Sequence, residues 1–281
     1  MIELNNVTKK YGRTTAVDRI SLRILESGTY CLLGRNGAGK TTLMKLMAGH
    51  MAATSGQVTV DGRRVLPGQA TGSVNYIESG SVQFNMKVSA LINTAAELQN
   101  GFDRDFAREM VERFELDPHK KYKHLSLGMK TMLTTIITLA NNSRVILLDE
   151  PTLGFDAIMR NQFNAMLLKS QQAHPRLIIV STHLIDEIAK VTERLVIIHS
   201  GRLLFEAELN DIDEKAYTLA GPSQAVLPLL DNLNCLGKTT VSNFTAAHIY
   251  DDRITPPEGV TIERLGLQDF FINIVGGKKN G

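Results

Sequence analysis

The chain has 281 residues, of which 43% are hydrophobic and 21% are charged, proportions ordinary for a soluble globular protein. Its 31 lysines and arginines against 29 aspartates and glutamates leave a net charge of +2, and the basic residues are scattered, so the composition argues against a nucleic-acid-binding surface. The two cysteines cannot build a disulfide framework, which indicates a reducing compartment, and apolar runs such as 145–148 are far shorter than the ~18 residues of a membrane helix.

The first part of the chain predicts strands, then a glycine loop, then a helix. Residues 2–7 and 20–24 alternate between apolar and polar side chains, which is typical of half-buried antiparallel strands. An apolar run at 30–33 ends at a glycine, and a helical pattern follows from Lys40 to about Met47. Residues 58–62 predict another strand that enters a turn.

The middle of the chain, from about 88 to 140, is predominantly helical by pattern, with Pro118 as a break. Three runs that are apolar throughout follow at 145–148, 177–180 and 195–198. Continuous apolar runs separated by helix-length segments, such as 157–172, favour a buried parallel sheet of an α/β protein.

Beyond about residue 210 the pattern changes to short mixed segments punctuated by Gly221-Pro222 and Pro256-Pro257. The segment ends in an apolar stretch at 270–272 and a glycine- and lysine-rich tail. We therefore predict a main domain over 1–210, with a helical subdomain at about 85–140, and a small C-terminal α/β domain over 211–281.

Residues 34–41 read Gly-Arg-Asn-Gly-Ala-Gly-Lys-Thr and match the phosphate-binding pattern G-x-x-x-x-G-K-[ST]. Glycines let successive backbone N–H groups converge on phosphate oxygens, and the helix that follows points its positive end at the same place. We expect Lys40 to reach the β- and γ-phosphates and the Thr41 hydroxyl to bind Mg²⁺. A chance glycine-rich turn is the alternative, which the flanking strand and helix disfavour. The expected ATP-binding residues here are Gly34, Arg35, Asn36, Gly37, Ala38, Gly39, Lys40, Thr41 and Thr42.

An acidic pair, Asp149 and Glu150, follows the apolar run at 145–148. The end of a buried parallel strand is where ligands bind open α/β sheets. Asp149 fits the carboxylate that holds Mg²⁺ beside Thr41, and Glu150 fits the base that polarises an attacking water. The alternative, that the pair only ends a strand, is weakened by the phosphate loop upstream.

The segment 125–130, Leu-Ser-Leu-Gly-Met-Lys, precedes a predicted helix and lies between these two motifs. A serine in this place alone most often caps a helix. In this order and spacing, the chain resembles the ATP-binding cassette (ABC) family, whose signature is Leu-Ser-Gly-Gly-Gln, over about residues 1–205. The resemblance implies a P-loop NTPase core with a mostly parallel sheet, an antiparallel β subdomain and a helical subdomain. It also implies a dimer in which the signature, here Leu125, Ser126, Leu127 and Gly128, approaches the γ-phosphate of the opposite subunit.

Three further family positions are carried over by the resemblance. Tyr11 corresponds to the aromatic residue that stacks on adenine, although a surface tyrosine is the alternative. Asp156, in Leu-Gly-Phe-Asp, matches the loop that couples the two sites across the dimer. His183 matches the switch histidine that contacts the γ-phosphate, and together with Glu150 and Lys40 it makes up the expected catalytic set.

Two departures from the family pattern are evident. The signature has Leu127 and Met129 in place of a glycine and the glutamine, which puts the strength of catalysis in trans in question. The family's glutamine between the two lobes is absent. Alignment places Glu78 or Ser79 there, and the downstream spacing favours Glu78, whose carboxylate could bind Mg²⁺ or water.

The resemblance implies an ATP-hydrolysing subunit of an ABC membrane transporter, and we expect an exporter of peptide or antibiotic-like cargo. Its cofactors would be ATP and Mg²⁺. Its partners would be a second cassette, identical or not, and integral membrane subunits. We expect a cytoplasmic chain that these subunits hold at the inner face of the membrane, and we expect no nucleic-acid partner. We expect Ile77, Val82, Phe84 and Met86 to offer a docking surface for those subunits, unless they are core residues.

Three other interpretations fit the sequence less well. A soluble ABC switch ATPase often carries two cassettes or a long coiled coil, and neither is evident in the sequence. A P-loop GTPase or kinase is the second alternative. The sequence lacks the guanine-reading motif Asn-Lys-x-Asp, and the cassette motifs have no reason to occur in such a protein. A regulatory module without turnover would have no need of both Glu150 and His183.

Overall fold

The computed structural model describes residues 1–68, 73–80 and 83–276, with the side chain of Glu187 excepted. The described chain forms two compact units. The first contains Met1–Thr192 and Ile198–Leu203, and the second contains Glu193–Ile197 and the chain from Leu204 onward. The predicted domain division at residue 210 stays a prediction.

The strands and helices follow one another along the chain with these bounds. The strands are β1 (Ile2–Tyr11), β2 (Thr14–Ile24), β3 (Gly28–Leu33), β4 (Ser55–Val60), β5 (Arg63–Arg64), β6 (Val74–Glu78), β7 (Val145–Asp149), β8 (Leu177–Thr182), β9 (Arg194–His199), β10 (Arg202–Glu208), β11 (Ala216–Pro222), β12 (Cys235–Val241), β13 (Phe244–Tyr250) and β14 (Thr261–Arg264). The α-helices are α1 (Lys40–Met47), α2 (Val88–Leu98), α3 (Arg104–Arg113), α4 (Leu127–Ala140), α5 (Ala157–Ala173), α6 (Ile185–Ile188), α7 (Leu209–Lys215), α8 (Ser223–Val226) and α9 (Leu267–Gly276).

An antiparallel sheet opens the first unit, with the spatial order β2-β1-β4-β5. Ile2 pairs with Ile24 and Leu4 with Leu22, so the apolar residues of both strands fall on one buried face. This arrangement is what the alternation in the sequence predicts, since successive side chains of a strand point to opposite faces.

The centre of the first unit is a parallel sheet in which β3, β8, β7 and β6 are neighbours in that order. Every residue of β3, β7 and β8 is buried, which confirms the prediction of a buried parallel sheet for the apolar runs at 145–148 and 177–180. The carboxyl ends of the strands meet at one edge, where Asp149 pairs in register with both Ser181 and Glu78. This edge carries the site described below.

Three helices, α2, α3 and α4, occupy the middle of the chain as predicted, and Pro118 lies in the connection between α3 and α4. The buried guanidinium of Arg176 caps the C-terminal end of α4. Its Nη1 donates to the Asn141 carbonyl at 2.6 Å, and its Nη2 donates to the Leu139 carbonyl at 2.7 Å. These carbonyls are among those that a helix leaves without an internal partner. Arg176 therefore fixes the end of α4 opposite to the signature segment.

The second unit contains an antiparallel sheet in the order β12-β13-β11-β14. Its core is formed by Tyr217, Leu219, Val226, Ala247, Ile249 and Val260. The apolar stretch near the C-terminus belongs to α9, where the Phe270 ring packs edge-on against Phe205 and Tyr250 at 5.2 and 5.4 Å. The predicted tail at 277–281 lies outside the described residues. No helix in the described part of the chain is both long and apolar enough to cross a membrane.

Candidate nucleotide site

The glycine-rich segment joins β3 to α1 at the carboxyl edge of the parallel sheet. Gly37 and Gly39 have φ angles of +80° and +104°, which side-chain-bearing residues rarely adopt. A Cβ at Gly39 would also collide with the carbonyl oxygen of Ala16. The loop therefore depends on glycine both for its backbone angles and for its close approach to β2. It borders a cleft that is lined by Ala16, Arg35, Asn36, Gly37, Ala38, Gly39, Lys40, Thr41, Thr42 and Glu150.

Lys40 supplies a cation at the buried side of this cleft. Its side chain is 6% exposed, and Nζ donates a hydrogen bond to the Gly34 carbonyl at 2.8 Å. Nζ also lies 3.4 Å from Oε1 of Glu150. Lys40 begins α1, which Gly39 precedes without a side chain to cap it, so the free N–H groups of the first turn add positive potential here.

Glu150 is the residue at which the expected catalytic side chains converge. Nδ1 of His183 lies 3.1 Å from one oxygen of its carboxylate and 3.2 Å from the other. The backbone of Glu150 has φ of +49° and donates to the Ser181 carbonyl at 3.1 Å. The structure thus brings Lys40, Glu150 and His183 together from three separate elements of the chain. A carboxylate between two such groups can accept a proton from water.

Asp149 differs from its neighbour, because it is buried and both of its oxygens accept hydrogen bonds. The Ser181 hydroxyl donates to Oδ1, and the Tyr76 hydroxyl donates to Oδ2 at 3.2 Å. Burial, and then the negative charges of Asp149 and Glu78, raise the pKa of Tyr76 far above its usual range. Tyr76 therefore stays protonated, and its hydroxyl keeps a proton to donate.

These residues fit a magnesium-bound triphosphate. The loop offers backbone N–H groups and Lys40 to an anion, and it leaves an open cleft beside them. Mg²⁺ prefers oxygen ligands and usually takes one or two protein oxygens together with substrate phosphates and waters. Thr41 lines the cleft, and Asp149 directly precedes Glu150, which also lines it, so their oxygens fit such a set. Their assignment as metal ligands remains a proposal.

The signature segment lies at the start of α4, outside the lining of the cleft. The Ser126 hydroxyl accepts a hydrogen bond from the Met129 N–H at 3.2 Å, so this serine caps its own helix. A Cβ at Gly128 would lie 2.8 Å from the Gly154 carbonyl oxygen. Glycine is thus required at 128 by packing within the chain. The expected contacts of Leu125, Ser126, Leu127 and Gly128 in trans stay a prediction.

Two other residues carried over from the family occupy local roles. Asp156 caps α5, because its Oδ1 accepts from the Met159 N–H at 2.8 Å. Tyr11 ends β1 with an exposed ring, its hydroxyl donates to Sδ of Met51 at 3.2 Å, and Nζ of Lys9 lies 5.2 Å from the ring centre. Stacking on adenine by Tyr11 and coupling by Asp156 remain predictions.

Both candidates for the missing glutamine have partners at the end of β6. Oε2 of Glu78 lies 2.9 Å from Nζ of Lys45 on α1. The Ser79 hydroxyl donates to the Glu150 carbonyl at 2.7 Å. The ion pair with Lys45 gives Glu78 a role of its own, and its expected binding to Mg²⁺ remains untested.

The sequence interpretation missed Tyr76, Ser181 and Lys45. Knowledge of the strand pairing would have identified Tyr76 and Ser181. Tyr76 is two residues from Glu78 and thus on the same face of β6, and Ser181 pairs with Asp149 in register. Both inferences require knowing which strands are neighbours, and the sequence pattern does not give that order.

Comparisons with known proteins point to one family. A family model described as ABC transporter matches residues 17–153. The chain is 31% identical to an uncharacterized ABC transporter ATP-binding protein, YhcH of Bacillus subtilis, over 85% of this chain and 81% of that protein. It is 29% identical to the bacitracin transport ATP-binding protein BcrA of Enterococcus faecalis, over 99% of this chain and 97% of that one.

Among solved structures, the dimeric bacterial ABC transporter cassette MJ0796 shares the fold. It superposes with a TM-score of 0.66 at 23% identity, over 74% of this chain and 99% of that one. This chain therefore shares with that cassette the arrangement of its strands and helices.

Proposed function

We propose that this chain, which belongs to the ABC transporter ATP-binding proteins and is an ATP hydrolase, drives export by an ABC membrane transporter. The proposed cargo is a peptide or antibiotic-like compound. The observation that carries the hydrolytic part of the proposal is the convergence of Lys40 and His183 on Glu150 beside the phosphate loop.

The hydrolytic step assigns a different task to each of these groups. Glu150 orients the attacking water and accepts its proton. Lys40 leaves Gly34 and Glu150 and binds the β- and γ-phosphate oxygens, and His183 donates to the γ-phosphate. Thr41 and Asp149 would hold Mg²⁺, which would neutralise part of the phosphate charge.

The proposal also includes a second cassette that faces the first. In support, Ser126 is on the surface, and apolar residues close to it and to Asp156 in the sequence are exposed: Leu127 is 45% exposed, Leu153 48% and Ile158 71%. Exposed apolar residues next to a polar motif are typical of a protein interface. Closing the pair around the γ-phosphate and opening it after hydrolysis would transmit the work to the membrane subunits.

The proposed docking surface for the membrane subunits includes residues of the segment that follows β6. Phe84 is half-buried and packs edge-on against Tyr122 at 5.2 Å, whereas Met86 is exposed. Val82 lies outside the described residues. Phe84 thus has a core contact as well as an exposed side, which supports an anchoring role at the rim of this surface.

The cargo class rests on similarity to BcrA, which is described as a bacitracin transport protein and is matched along nearly its whole length. The direct test is co-purification of the tagged chain with the membrane chains encoded beside it, followed by transport in inside-out vesicles. ATP-dependent accumulation of bacitracin or a related peptide, lost with Lys40→Ala, is the expected result. A chain that hydrolyses ATP but recovers no membrane chain would instead favour a soluble switch ATPase.

A further inference from the structure

Asp149 receives hydrogen bonds from two side chains, and the family motifs described above include neither of them. Ser181 reaches Oδ1 from β8, and Tyr76 reaches Oδ2 from β6. These strands flank β7 on its two sides, so the carboxylate is held from both directions.

The position of Tyr76 follows from the parallel register of β6 and β7. Glu78 pairs with Asp149 and Tyr76 pairs with Leu147, so the tyrosine starts two residues behind the carboxylate and reaches forward along the sheet. Its ring is fixed by an edge-on contact with His50, at 5.1 Å between ring centres and 89° between planes. A ring held in this way presents its hydroxyl at one place.

Glu78 shares this edge and also interacts with the Tyr76 hydroxyl. Its carboxylate pairs with Lys45 at 2.9 Å, on the helix that follows the phosphate loop. Asp149 differs from Glu78 because it receives both hydroxyls, that of Ser181 on one oxygen and that of Tyr76 on the other.

We propose that Tyr76 is a positioning residue of the magnesium site, whose hydroxyl holds Asp149 in the orientation that binds the metal with the nucleotide. This inference rests on the proposed nucleotide site. A carboxylate with a donor on only one oxygen can turn about its Cβ–Cγ bond, whereas donors on both oxygens fix the plane. Hydrogen bonds to metal ligands commonly change metal affinity by about 10–100-fold.

The test is Tyr76→Phe, which removes the hydroxyl and keeps the ring against His50. Mn²⁺ replaces Mg²⁺ as a paramagnetic probe, and its affinity for the full-length protein with ADP is measured by electron paramagnetic resonance, without turnover. We expect about 10-fold weaker Mn²⁺ binding, with the affinity for ADP in the presence of a chelator unchanged.

Tyr217→Phe is the matched control, because the Tyr217 hydroxyl donates to the Asp252 carbonyl at 3.1 Å in the other unit. This control should leave Mn²⁺ affinity unchanged, and the melting temperature of each variant reports its folding. Should Tyr76→Phe fold poorly, His50→Leu loosens the ring and keeps the hydroxyl, and a smaller loss of Mn²⁺ affinity is expected there.

Equal Mn²⁺ affinity in Tyr76→Phe and the unmodified protein would overturn the positioning role and leave the proposed function intact. An equal loss of metal-free ADP binding would also overturn it, because the tyrosine would then be a general structural support. If the unmodified protein binds ADP with no dependence on Mn²⁺, the proposed site itself is wrong.

Discussion

Two parts of the first unit carry the functional motifs, and they are organised in opposite ways. Around Glu150, polar side chains from three elements are turned towards one another beside an open cleft. Around Ser126, the hydroxyl is turned back to its own helix, and the exposed residues next to it in the sequence include the apolar Leu127. The first region can do chemistry with groups of one chain. The second has satisfied its own polar group and presents a surface, which fits a region that acts only when a partner closes on it.

The two regions also differ in why a particular residue is needed at each position. The contact between Lys40 and Glu150 fits the proposed chemical use and has little obvious structural use. Ser126 and Gly128 have sufficient structural reasons, a helix cap and close packing on Gly154, before any partner is considered. A family motif can therefore be retained by local folding alone, so substitutions in the second region need controls for stability.

The largest effect is expected from Glu150→Gln, which breaks the first region while keeping its shape. ATP hydrolysis should fall by about 10²–10⁴-fold because a general base is lost, and ATP binding should persist. Steady-state phosphate release and nucleotide binding measure the two effects. Glu258→Gln, at an exposed position of the second unit, is the control and should hydrolyse normally. Near-normal turnover in Glu150→Gln would remove this residue from the catalytic role.

A smaller effect on activity is expected from Ser126→Ala. Loss of a hydrogen bond to a charged phosphate should slow hydrolysis by about 10–100-fold, and loss of the cap should lower the free energy of unfolding by about 1 kcal/mol. Asp103→Ala is a matched control, because Asp103 caps α3 through the Phe106 N–H at 2.8 Å. Similar destabilisation without slower hydrolysis is expected in the control. If both variants keep full activity, Ser126 serves only as a cap.

The last expected effect is on stability, not on hydrolysis. Gly128→Ala places a methyl group against the Gly154 carbonyl, and we expect the free energy of unfolding to fall by about 1–3 kcal/mol. Urea unfolding measures the change. Gly266→Ala is the control, because a Cβ there would have no atom of the described residues within 4 Å. An unchanged midpoint for Gly128→Ala would show that the loop at Gly154 yields, and would leave contact in trans as the reason for the glycine.

Much of the first unit was predictable from the sequence for physical reasons. The helix after the phosphate loop begins and ends where predicted, at Lys40 and Met47, because a glycine loop sets its start. Strands β7 and β8 were evident because they are buried on both faces and therefore apolar throughout. Strand β6 was not recognised as part of the sheet, since it is half-buried and mixes polar with apolar residues.

The contacts within the site were less predictable than the motifs that form it. Tyr76, Ser181 and Lys45 act through neighbours that are 73, 32 and 33 residues away in the sequence. Such contacts depend on strand order and on where a helix lies over the sheet, which a single sequence leaves open. The same limit applies to Glu78, whose predicted metal role did not anticipate its ion pair with Lys45.

The central claim, that each cleft is completed by the Ser126 region of a second subunit, is tested most directly by mixing two inactive variants. Lys40→Ala disables one side of a shared site, and Ser126→Arg disables the other. In a mixed dimer, one site carries both changes and the other carries neither, so ATP hydrolysis should recover on mixing. If the mixture remains as inactive as each variant alone, although the variants are shown to associate, the two regions do not meet across subunits.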